Sequence, residues 1–279
     1  MHPRTALITG VSTGIGHATA RALLSKGYIV FGSVRAPEMA HSLQQDFGAQ
    51  FIPLVFDVTD PSALATAVRA VETRLQGEGL GCLINNAGIA IGGPFQHQPF
   101  TEIRQHLEVN VLGLMAVTQA FLPLLGARAE HPTAPGKILN ISSLSGKIAF
   151  PFFAAYVASK HAVEGFSHSL RRELLAYGID VIIIGPGSVQ TPIWEKGNQL
   201  HAYLNTGYAD RLGRFSKIAM RAGKHGIPVE AFGIRIAGIV DTPRPKTRYA
   251  IVKGYIKNYL LVRLLPDRML DWVVKKMLD

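Results

Sequence analysis

The sequence predicts an α/β protein with a doubly wound, parallel seven-stranded sheet covered by helices on both faces. Short runs rich in β-branched residues alternate with longer helical patterns along the 279 residues, which is typical of repeated β-α-β units. Four of the short runs are apolar almost throughout, as expected of strands that are covered on both faces. These are residues 6–8, 28–31, 82–84 and 181–184.

The strand candidates define the organisation of the chain. They are residues 5–9, 28–34, 50–56, 82–85, 137–142, 180–184 and 248–252. No Pro-rich or Ser-rich linker, repeat or low-complexity tract interrupts the alternation, so we predict one domain over residues 1–253. Residues 193–225 are polar and weakly periodic, and we predict a lid at about 190–225. Residues 254–279 are predicted to be a helical extension of the same domain.

Composition excludes several classes of protein. The chain has 48% hydrophobic and 17% charged residues, which is typical of a globular protein and not of a disordered one. The single cysteine, Cys82, excludes an intramolecular disulfide framework and a cysteine-rich metal site, and it favours a reducing compartment. There is no export signal, and no apolar stretch reaches the ~18 residues of a spanning helix. We expect a cytoplasmic protein without a membrane-spanning segment or a metal site.

The positive charge is concentrated at the C-terminus. Of the net charge of +10, residues 244–279 carry +6, from nine Lys or Arg and three Asp. No nucleic-acid-binding motif is present, so we expect no nucleic-acid partner. Residues 254–279 are predicted to form two short helices divided at Pro266, which either pack on their own domain or rest on an acidic membrane surface. One helix carries an apolar stripe of Met269, Leu270, Val273, Val274 and Met277.

The first strand leads directly into a glycine-rich turn and a helix. Backbone N–H groups in such a turn can approach a pyrophosphate, which the positive end of the following helix also attracts. A side chain at Gly10 or Gly16 is expected to block that approach. The Gly-x3-Gly-x-Gly spacing differs from the standard dinucleotide turn, and a purely structural turn is the alternative. The residues predicted to bind a cofactor here are Gly10, Ser12, Thr13, Gly14, Ile15 and Gly16.

The end of the second strand bears on the choice of cofactor. A dinucleotide site usually carries an acidic residue here for the adenosine ribose, but this chain has Ser33, Val34 and Arg35. A guanidinium can pair with a 2′-phosphate, and no carboxylate is present to repel that phosphate. We therefore predict NADP(H) in preference to NAD(H), with Arg35 as the discriminating residue. The alternative is an exposed arginine at a strand end without a function.

Two further strand ends carry candidate cofactor residues. Asp57 follows the third strand and can accept a hydrogen bond from an adenine amino group, with Val58 beside it. Asp60 is predicted to be a helix N-cap. The fourth strand ends in a small, amide-rich segment where the cofactor is expected to cross the sheet, although such a segment alone is also typical of a turn. It is formed by Asn86, Ala87 and Gly88.

Ser143, Tyr156 and Lys160 form the decisive constellation. The spacing of four places Tyr156 and Lys160 on one face of a helix, and Ser143 at a strand end can converge on the same carbonyl group. A phenol with its usual pKa of ~10 is a weak base near neutrality. An ammonium at ~4 Å, in an effective dielectric of ~20, contributes about 4 kcal/mol, which is enough to lower that pKa into the working range.

With these motifs, the chain resembles the short-chain dehydrogenase/reductase family in its classical form, over roughly residues 4–252. The glycine turn, the amide-rich segment, Asn110, Ser143 and the Tyr156-x3-Lys160 pair occur in the family's order. Residues 248–252 and 264–268 resemble, more loosely, the retinol dehydrogenase and 17β-hydroxysteroid dehydrogenase branch. The resemblance implies a Rossmann-type fold and an NAD(P)-dependent oxidoreductase that acts on CH–OH groups.

The resemblance also implies roles for individual residues. Tyr156 would be the general acid/base, Ser143 would orient and polarise the substrate oxygen, and Lys160 would hold the nicotinamide ribose and lower the phenol pKa. Asn110 would anchor a water that relays protons to Lys160, although from the residues alone a helix amide bonded to backbone is favoured. The loop that contacts the nicotinamide end would comprise Pro186, Gly187, Val189 and Thr191.

The branch resemblance implies a lipophilic alcohol or ketone as substrate, of steroid, retinoid or similar type. Apolar residues lie near the expected substrate side, with ordinary core packing as the alternative. These are Phe95, Phe150, Phe152, Phe153, Ile193 and Trp194. The family commonly pairs the helices near residues 101–125 and 154–177, so a homodimer or homotetramer is expected. Two other hypotheses stay open: a non-catalytic NADP(H)-binding regulator, or a membrane-surface protein, on the same fold.

Overall fold

One parallel sheet of seven strands runs through the centre of the computed structural model, which describes residues 4–128, 130, 133–196 and 200–279. The strand order is β3-β2-β1-β4-β5-β6-β7. The strands are β1 (Thr5–Ile8), β2 (Ile29–Val34), β3 (Phe51–Val55), β4 (Cys82–Asn85), β5 (Lys137–Ile141), β6 (Asp180–Pro186) and β7 (Arg248–Ile251). The predicted fold class is confirmed, and the predicted strand boundaries lie within two residues of these.

Helices cover both faces of the sheet. Over the N-terminal half they are α1 (Gly14–Leu24), α2 (Pro37–Phe47), α3 (Pro61–Leu75), α4 (Phe100–Leu107) and α5 (Leu114–Leu125). Over the C-terminal half they are α6 (Ala154–Glu173), α7 (Ile193–Lys196), α8 (Ala209–Lys224), α9 (Val229–Asp241), α10 (Leu261–Leu264) and α11 (Asp267–Leu278). π-Helical turns at Glu108–Gly113 and Ile256–Leu260 and 3₁₀ turns at Leu144–Gly146, Leu174–Tyr177 and Leu200–Tyr203 complete the elements.

The sheet separates two apolar layers. On one face, Leu23 of α1 packs with Phe232 and Ile236 of α9. On the other face, side chains of α3, α5 and α6 meet. Helices α1 and α9 approach so closely that a Cβ atom on Gly233 would lie 2.5 Å from the backbone of Ala18. The two layers leave the carboxyl ends of the strands as the open edge of the sheet.

Strands β1 and β4 are neighbours at the point where the strand order reverses direction. In open α/β sheets the crevice at this switch point, outside the carboxyl ends of the strands, is the usual ligand site. β1 ends at the glycine turn, and β4 ends at the amide-rich segment. The fold therefore brings two of the predicted cofactor motifs to the same crevice.

The predicted lid is more regular than its sequence indicated. Residues 209–224 form α8, a helix of 16 residues, so the expectation of weak periodicity is wrong there. One side of α8, which includes Leu212 and Phe215, faces the cleft, while half of the helix residues are exposed. Residues 197–199, within the same predicted segment, lie outside the described residues. The role of this segment as a lid stays a prediction.

The helical run Phe100–Leu125 is long and apolar enough to cross a membrane, judged by length and composition alone. In the fold, Val117 and Phe121 of this run are fully buried in the layer beside the sheet. Core helices of folded domains meet the same criterion, so the run is weak evidence for a membrane span. The run also exposes Phe100, Leu107 and Leu112. Pairing of two copies through it and α6 stays a prediction.

Candidate active site

A cleft of about 1080 Å³ opens at the carboxyl ends of the strands. Of the predicted site residues, Gly16 and Asn110 lie behind its wall, and all others line it. The predicted residues in the lining are Gly10, Ser12, Thr13, Gly14, Ile15, Arg35, Asp57, Val58, Asn86, Ala87, Gly88, Ser143, Tyr156, Lys160, Pro186, Gly187, Val189 and Thr191.

The glycine turn is held in place by its neighbours. Gly10 and Gly14 have φ values of 70° and 64°, which favour glycine. The Thr9 hydroxyl accepts hydrogen bonds from the backbone N–H groups of Asn86 and Ala87, at 2.9 and 3.0 Å. The Asn86 side chain in turn donates to the carbonyl groups of Thr9 and Gly10, both at 2.9 Å. The amide-rich segment therefore acts as a brace for the turn, in addition to lining the cleft.

Gly16 is required for a different reason from the one predicted. A Cβ atom there would lie 2.3 Å from the Gly10 carbonyl oxygen and 2.5 Å from the Asn86 amide nitrogen. Its absence lets α1 pack against the turn, so Gly16 serves internal packing and does not line the approach of a ligand.

The start of α1 fits a phosphate group. Thr13 precedes the helix without capping it through its side chain, and the first turn contains no acidic residue. The first N–H groups of a helix have no intrahelical partner, and the helix dipole attracts an anion to them. Together with the glycine turn, this helix end can take the pyrophosphate of a dinucleotide.

The rim near β2 and β3 carries groups suited to the adenosine end. Arg35 is exposed at the cleft, and the neighbouring Ser33 hydroxyl accepts a hydrogen bond from the Gly10 N–H at 3.0 Å. Asp57 accepts from both the N–H and the hydroxyl of Thr59, at 2.9 and 2.7 Å, which fixes its carboxylate in a turn. Asp60 caps α3 by accepting from two backbone N–H groups, as predicted. The dinucleotide motifs of the sequence thus converge on one cleft.

Tyr156, Ser143 and Lys160 meet in the same cleft. The Ser143 hydroxyl is hydrogen-bonded to the phenol of Tyr156. It also accepts from the Ser145 N–H at 3.0 Å, which leaves its own hydrogen free to donate towards the phenol oxygen. Lys160 lies on the same face of α6, with Nζ 5.8 Å from the centroid of the Tyr156 ring. The predicted convergence of strand end and helix face is present.

The electrostatics of this trio differ from the expectation. Burial raises the pKa of Tyr156, and the hydrogen bond from Ser143 lowers it in part. Lys160 is buried and donates to the Ile141 carbonyl group at 2.9 Å. Burial lowers the pKa of Lys160 to about 8, against the pull of Glu164. That Lys160 lowers the phenol pKa during the reaction stays a prediction.

Asn110 lies in the π-helical turn between α4 and α5, and its own side chain is buried. Its side-chain oxygen accepts from the Ile89 N–H at 2.8 Å. Its amide group donates to the Ile89 carbonyl and to the Ser159 hydroxyl, at 2.9 and 3.0 Å. These contacts fit the backbone-bonded alternative, and they fix the strand-end loop beside the cleft. The proposed water relay from Asn110 stays a prediction.

His106 is a site residue that the sequence reasoning missed. It is fully buried one turn before Asn110, and its Nε2 accepts from the Ile91 N–H at 3.0 Å. Its Nδ1 lies 2.8 Å from the Glu102 carbonyl oxygen, so Nδ1 carries the hydrogen. Burial lowers the pKa of His106, which keeps the ring neutral. The ring therefore holds the loop at Ile91, which lines the cleft next to Tyr156.

Comparison with known proteins decides the family. Residues 4–201 match the family model described as short chain dehydrogenase. The chain belongs to the short-chain dehydrogenase family. It is 40% identical, over 98% of its length and 96% of the relative's, to an "NADPH-dependent 3-dehydrocapnine reductase" of Ornithobacterium rhinotracheale. It is 32% identical, over 99% and 98%, to a "3-ketodihydrosphingosine reductase" of Bacteroides thetaiotaomicron.

Two further matches support the family and the branch. Retinol dehydrogenase 5 of Mus musculus is 37% identical over 67% of this chain and 57% of its own length. A solved structure of a variant of actinorhodin polyketide ketoreductase with NADPH has a TM-score of 0.76 and 27% identity, over 93% of this chain and all of that one. This short-chain dehydrogenase is therefore an NAD(P)-dependent oxidoreductase, as predicted, and resembles the retinol dehydrogenase branch.

Beyond Tyr156, the cleft of this short-chain dehydrogenase has an apolar, largely aromatic wall. The Phe152 and Phe153 rings both contact Phe215 of α8, with centroids 5.5 and 5.9 Å away. Phe152 has a φ of 64°, unusual for a residue with a side chain, and its carbonyl group accepts from the Gly93 N–H at 2.8 Å. The remaining apolar wall is formed by Phe150, Ile193, Trp194, Leu212, Ile218, Ala219 and Met220.

The sequence reasoning found half of this wall. Phe150, Phe152, Phe153, Ile193 and Trp194 line the cleft as predicted, whereas Phe95 is exposed and outside it. The α8 residues were missed. The sequence does indicate them, because Leu212, Phe215, Ala219 and Ala222 are spaced so that they lie on one face of a helix.

A buried ion cluster supports the site from behind. The Glu164 carboxylate, whose side chain is 2% exposed, lies one turn after Lys160 on α6. It accepts hydrogen bonds from the Ser142 hydroxyl at 2.9 Å and from Arg248 at 2.9 to 3.1 Å. Lys147 pairs with it at 3.4 Å. The cluster links the strand end beside Ser143 to α6 and to β7.

Among the residues the structure describes, no group of three or more His, Cys, Asp or Glu side chains is arranged to hold a metal ion. The titratable groups that line the cleft are the ones already described, together with Arg104 and Glu108 at the rim. Tyr156, Ser143 and Lys160 are side chains in this cleft that can exchange protons or donate hydrogen bonds.

Proposed function

We propose that this protein is an NADPH-dependent reductase that converts a ketone group on a long-chain, lipophilic substrate into a secondary alcohol. The observation that carries the proposal is the position of Tyr156. Its phenol lies where the cleft for the dinucleotide meets the aromatic wall, with Ser143 hydrogen-bonded to it. A carbonyl oxygen between these two side chains would point its apolar substituents towards Phe153 and Phe215.

The cofactor is NADP(H), which supplies a hydride to the carbonyl carbon when it is bound. The glycine turn and the uncapped start of α1 would hold its pyrophosphate, and Asp57 would accept from the adenine amino group. Arg35 would pair with the 2′-phosphate, because its guanidinium is exposed at the rim of the cleft. A relative that is 40% identical over nearly the full chain is named as NADPH-dependent, which agrees with this assignment.

Three side chains would carry out the proton chemistry. Tyr156 donates its proton to the carbonyl oxygen as the alcohol forms. Ser143 donates a hydrogen bond to the same oxygen and so stabilises the negative charge that develops on it. Burial lowers the pKa of Lys160 to about 8, so Lys160 is mainly protonated at pH 7, and its charge would stabilise the phenolate that Tyr156 becomes. Lys160 would also hold the nicotinamide ribose.

The class of substrate follows from the wall and from the relatives. The wall beyond Tyr156 is formed mainly by phenylalanine, isoleucine and leucine side chains, which suit an alkyl chain or a fused ring system. Two relatives that match over nearly the full length are named as reductases of 3-dehydrocapnine and of 3-ketodihydrosphingosine. A lipid ketone is therefore favoured over the steroid or retinoid that the branch alone implied.

A substrate panel tests this proposal. NADPH oxidation is followed with 3-ketodihydrosphingosine, retinal, estrone and acetone at equal enzyme concentration. We expect the lipid ketone to have a kcat/KM at least about tenfold above retinal and estrone. A substrate that fits the wall less well leaves methylene groups exposed, and each of them forgoes about 0.8 kcal/mol of binding free energy. Acetone should be a poor substrate. Retinal or estrone turned over best would reject the lipid class, and no turnover of any carbonyl compound would reject the reductase.

Arg35→Asp is expected to reverse the cofactor preference. Loss of a charge-assisted hydrogen bond to the 2′-phosphate should lower kcat/KM for NADPH by about 10- to 100-fold. The new carboxylate can accept from a ribose hydroxyl, so NADH should be used better than before. Arg69→Asp, which changes an exposed arginine outside the cleft, is the matched control. An unchanged ratio of NADPH to NADH efficiency in Arg35→Asp would contradict the assignment.

A further inference from the structure

The C-terminal segment, residues 253–279, presents an unusual surface. Of the described residues, 22 large apolar side chains are exposed, and nine of them lie between Tyr255 and Met277. In the first helical stretch they are Tyr255, Ile256, Leu260, Leu261 and Leu264. In α11 they are Met269, Trp272, Val273 and Met277. Of the predicted stripe on α11, Met269, Val273 and Met277 are exposed, whereas Leu270 and Val274 are half-buried.

Hydrogen bonds attach this surface to the domain at Tyr259 and at its C-terminal end. Tyr259 is buried, and its hydroxyl accepts from Arg248 and Arg263 at 2.9 and 3.2 Å. At the other end the Leu278 carbonyl group accepts from Arg214 of α8 at 2.7 Å, and Asp279 pairs with Arg211. A frayed helix exposes apolar side chains because it has lost its contacts with the domain. The helices of residues 253–279 keep these contacts and still expose their apolar side chains.

Positive charge accompanies the apolar side chains. The segment has six Lys or Arg and three Asp, and one of those acids, Asp279, is neutralised by Arg211. Lys257 lies within the exposed run of the first stretch, and the Lys276 ammonium lies 4.2 Å from the Trp272 ring centroid. A lysine stem can lie along apolar surface while its ammonium reaches a polar layer above it.

We propose that residues 253–279 form a docking surface for an anionic phospholipid bilayer. Exposed leucine, isoleucine, methionine and tryptophan side chains would enter the boundary between headgroups and acyl chains, and the lysines would reach the lipid phosphates. Pairing with a second copy fits less well, because a two-fold contact would bring together the six Lys and Arg side chains of each copy, with only Asp267 and Asp271 of each copy to offset them. The proposal does not depend on the substrate proposed above.

The docking surface is connected to the cleft through one helix. α8 supplies Phe215 and Ile218 to the cleft wall, and its Arg211 and Arg214 hold the end of α11. Ile193 and Ile218 at the cleft are themselves about 40% exposed. If residues 253–279 lie on the bilayer, α8 connects the membrane-bound segment to the apolar wall of the cleft.

Vesicle co-sedimentation of the full chain tests the proposal. One set of vesicles is phosphatidylcholine and the other contains about 30% phosphatidylglycerol. We expect binding to the anionic vesicles that weakens with salt, together with a blue shift of tryptophan fluorescence that is absent when Trp272 is replaced. The variant Leu264→Gln/Trp272→Gln should bind at least about tenfold less tightly. Ile234→Gln, which changes a side chain exposed to 62% on α9, should bind like the native chain.

Further variants distinguish binding of a lipid bilayer from binding of a second copy of the chain. Lys257→Gln/Lys276→Gln should remove most of the preference for anionic vesicles while leaving the circular dichroism spectrum unchanged, so a failure to fold is recognised. No binding of the native chain to either vesicle would overturn the proposal. Equal binding of the Leu264/Trp272 variant would also overturn it. A native dimer that this variant converts to monomer, without vesicle binding, would assign the surface to a second copy instead.

Discussion

Tyr156→Phe is expected to reduce kcat by about 10²- to 10⁴-fold, the usual contribution of a positioned general acid. The substitution removes the phenol oxygen and keeps the ring, whose contacts with Phe153 and His106 are edge-on at 6.0 and 6.4 Å. NADPH affinity, measured by fluorescence titration, should therefore stay within about twofold of native. The reaction should lose its proton source without losing its binding site.

The matched control is Tyr249→Phe. The Tyr249 hydroxyl accepts from the Lys246 N–H at 2.9 Å, and this tyrosine is outside the cleft lining. Its loss should leave kcat close to native. Ser143→Ala should reduce kcat by less than Tyr156→Phe, because it removes a hydrogen-bond donor and not the proton source. Retained turnover by Tyr156→Phe would end the assignment of Tyr156 as the acid, whatever the behaviour of Ser143→Ala.

Glu164→Gln is expected to destabilise the fold by about 3–5 kcal/mol, as removal of one partner of a buried ion pair does. Arg248 is only 13% exposed and directs its guanidinium at both carboxylate oxygens. Two glycines make room for the pair, since a Cβ on Gly146 would lie 2.8 Å from the Glu164 side chain and one on Gly185 2.6 Å from Arg248. The neutral amide of Gln at position 164 would leave the positive charge of the Arg248 guanidinium without a buried carboxylate partner.

Urea denaturation of the variants measures this loss. Asp279→Asn is the surface control, because its ion pair with Arg211 is 57% and 40% exposed, and it should cost no more than about 1 kcal/mol. Glu164→Leu/Arg248→Met should lose less stability than the sum of its single changes, since both charges leave together. A Glu164→Gln variant as stable as Asp279→Asn would mean that water reaches the cluster and screens it.

The strands were predictable because their signal is local. Residues such as Leu83 and Ile183 occur in short apolar runs that are typical of strands covered on both faces. The convergence of Ser143 with Tyr156 was predictable for a related reason, since parallel strands end at one edge and a spacing of four marks one helix face. These inferences need no knowledge of how distant segments pack.

The remaining features depend on packing, which the sequence does not display. The pKa of Tyr156 is set by burial, and burial is the sum of many neighbours contributed by several elements. Gly16 was assigned to ligand approach because its contact with Gly10 and Asn86 exists only after α1 docks. Phe215 was missed because the sequence of α8 is rich in polar residues, and only its contacts with Phe152 and Phe153 show that it belongs to the wall.

The left-handed residue Phe152 determines how the hydrophobic wall is assembled. Adjacent residues in extended chain point to opposite sides, yet the rings of Phe152 and Phe153 both reach Phe215. The reversal at φ 64° turns two neighbouring side chains towards the same helix, so that a short loop supplies two rings to one surface. A change in the backbone conformation of Phe152 would therefore move the Phe152 and Phe153 rings away from Phe215 together.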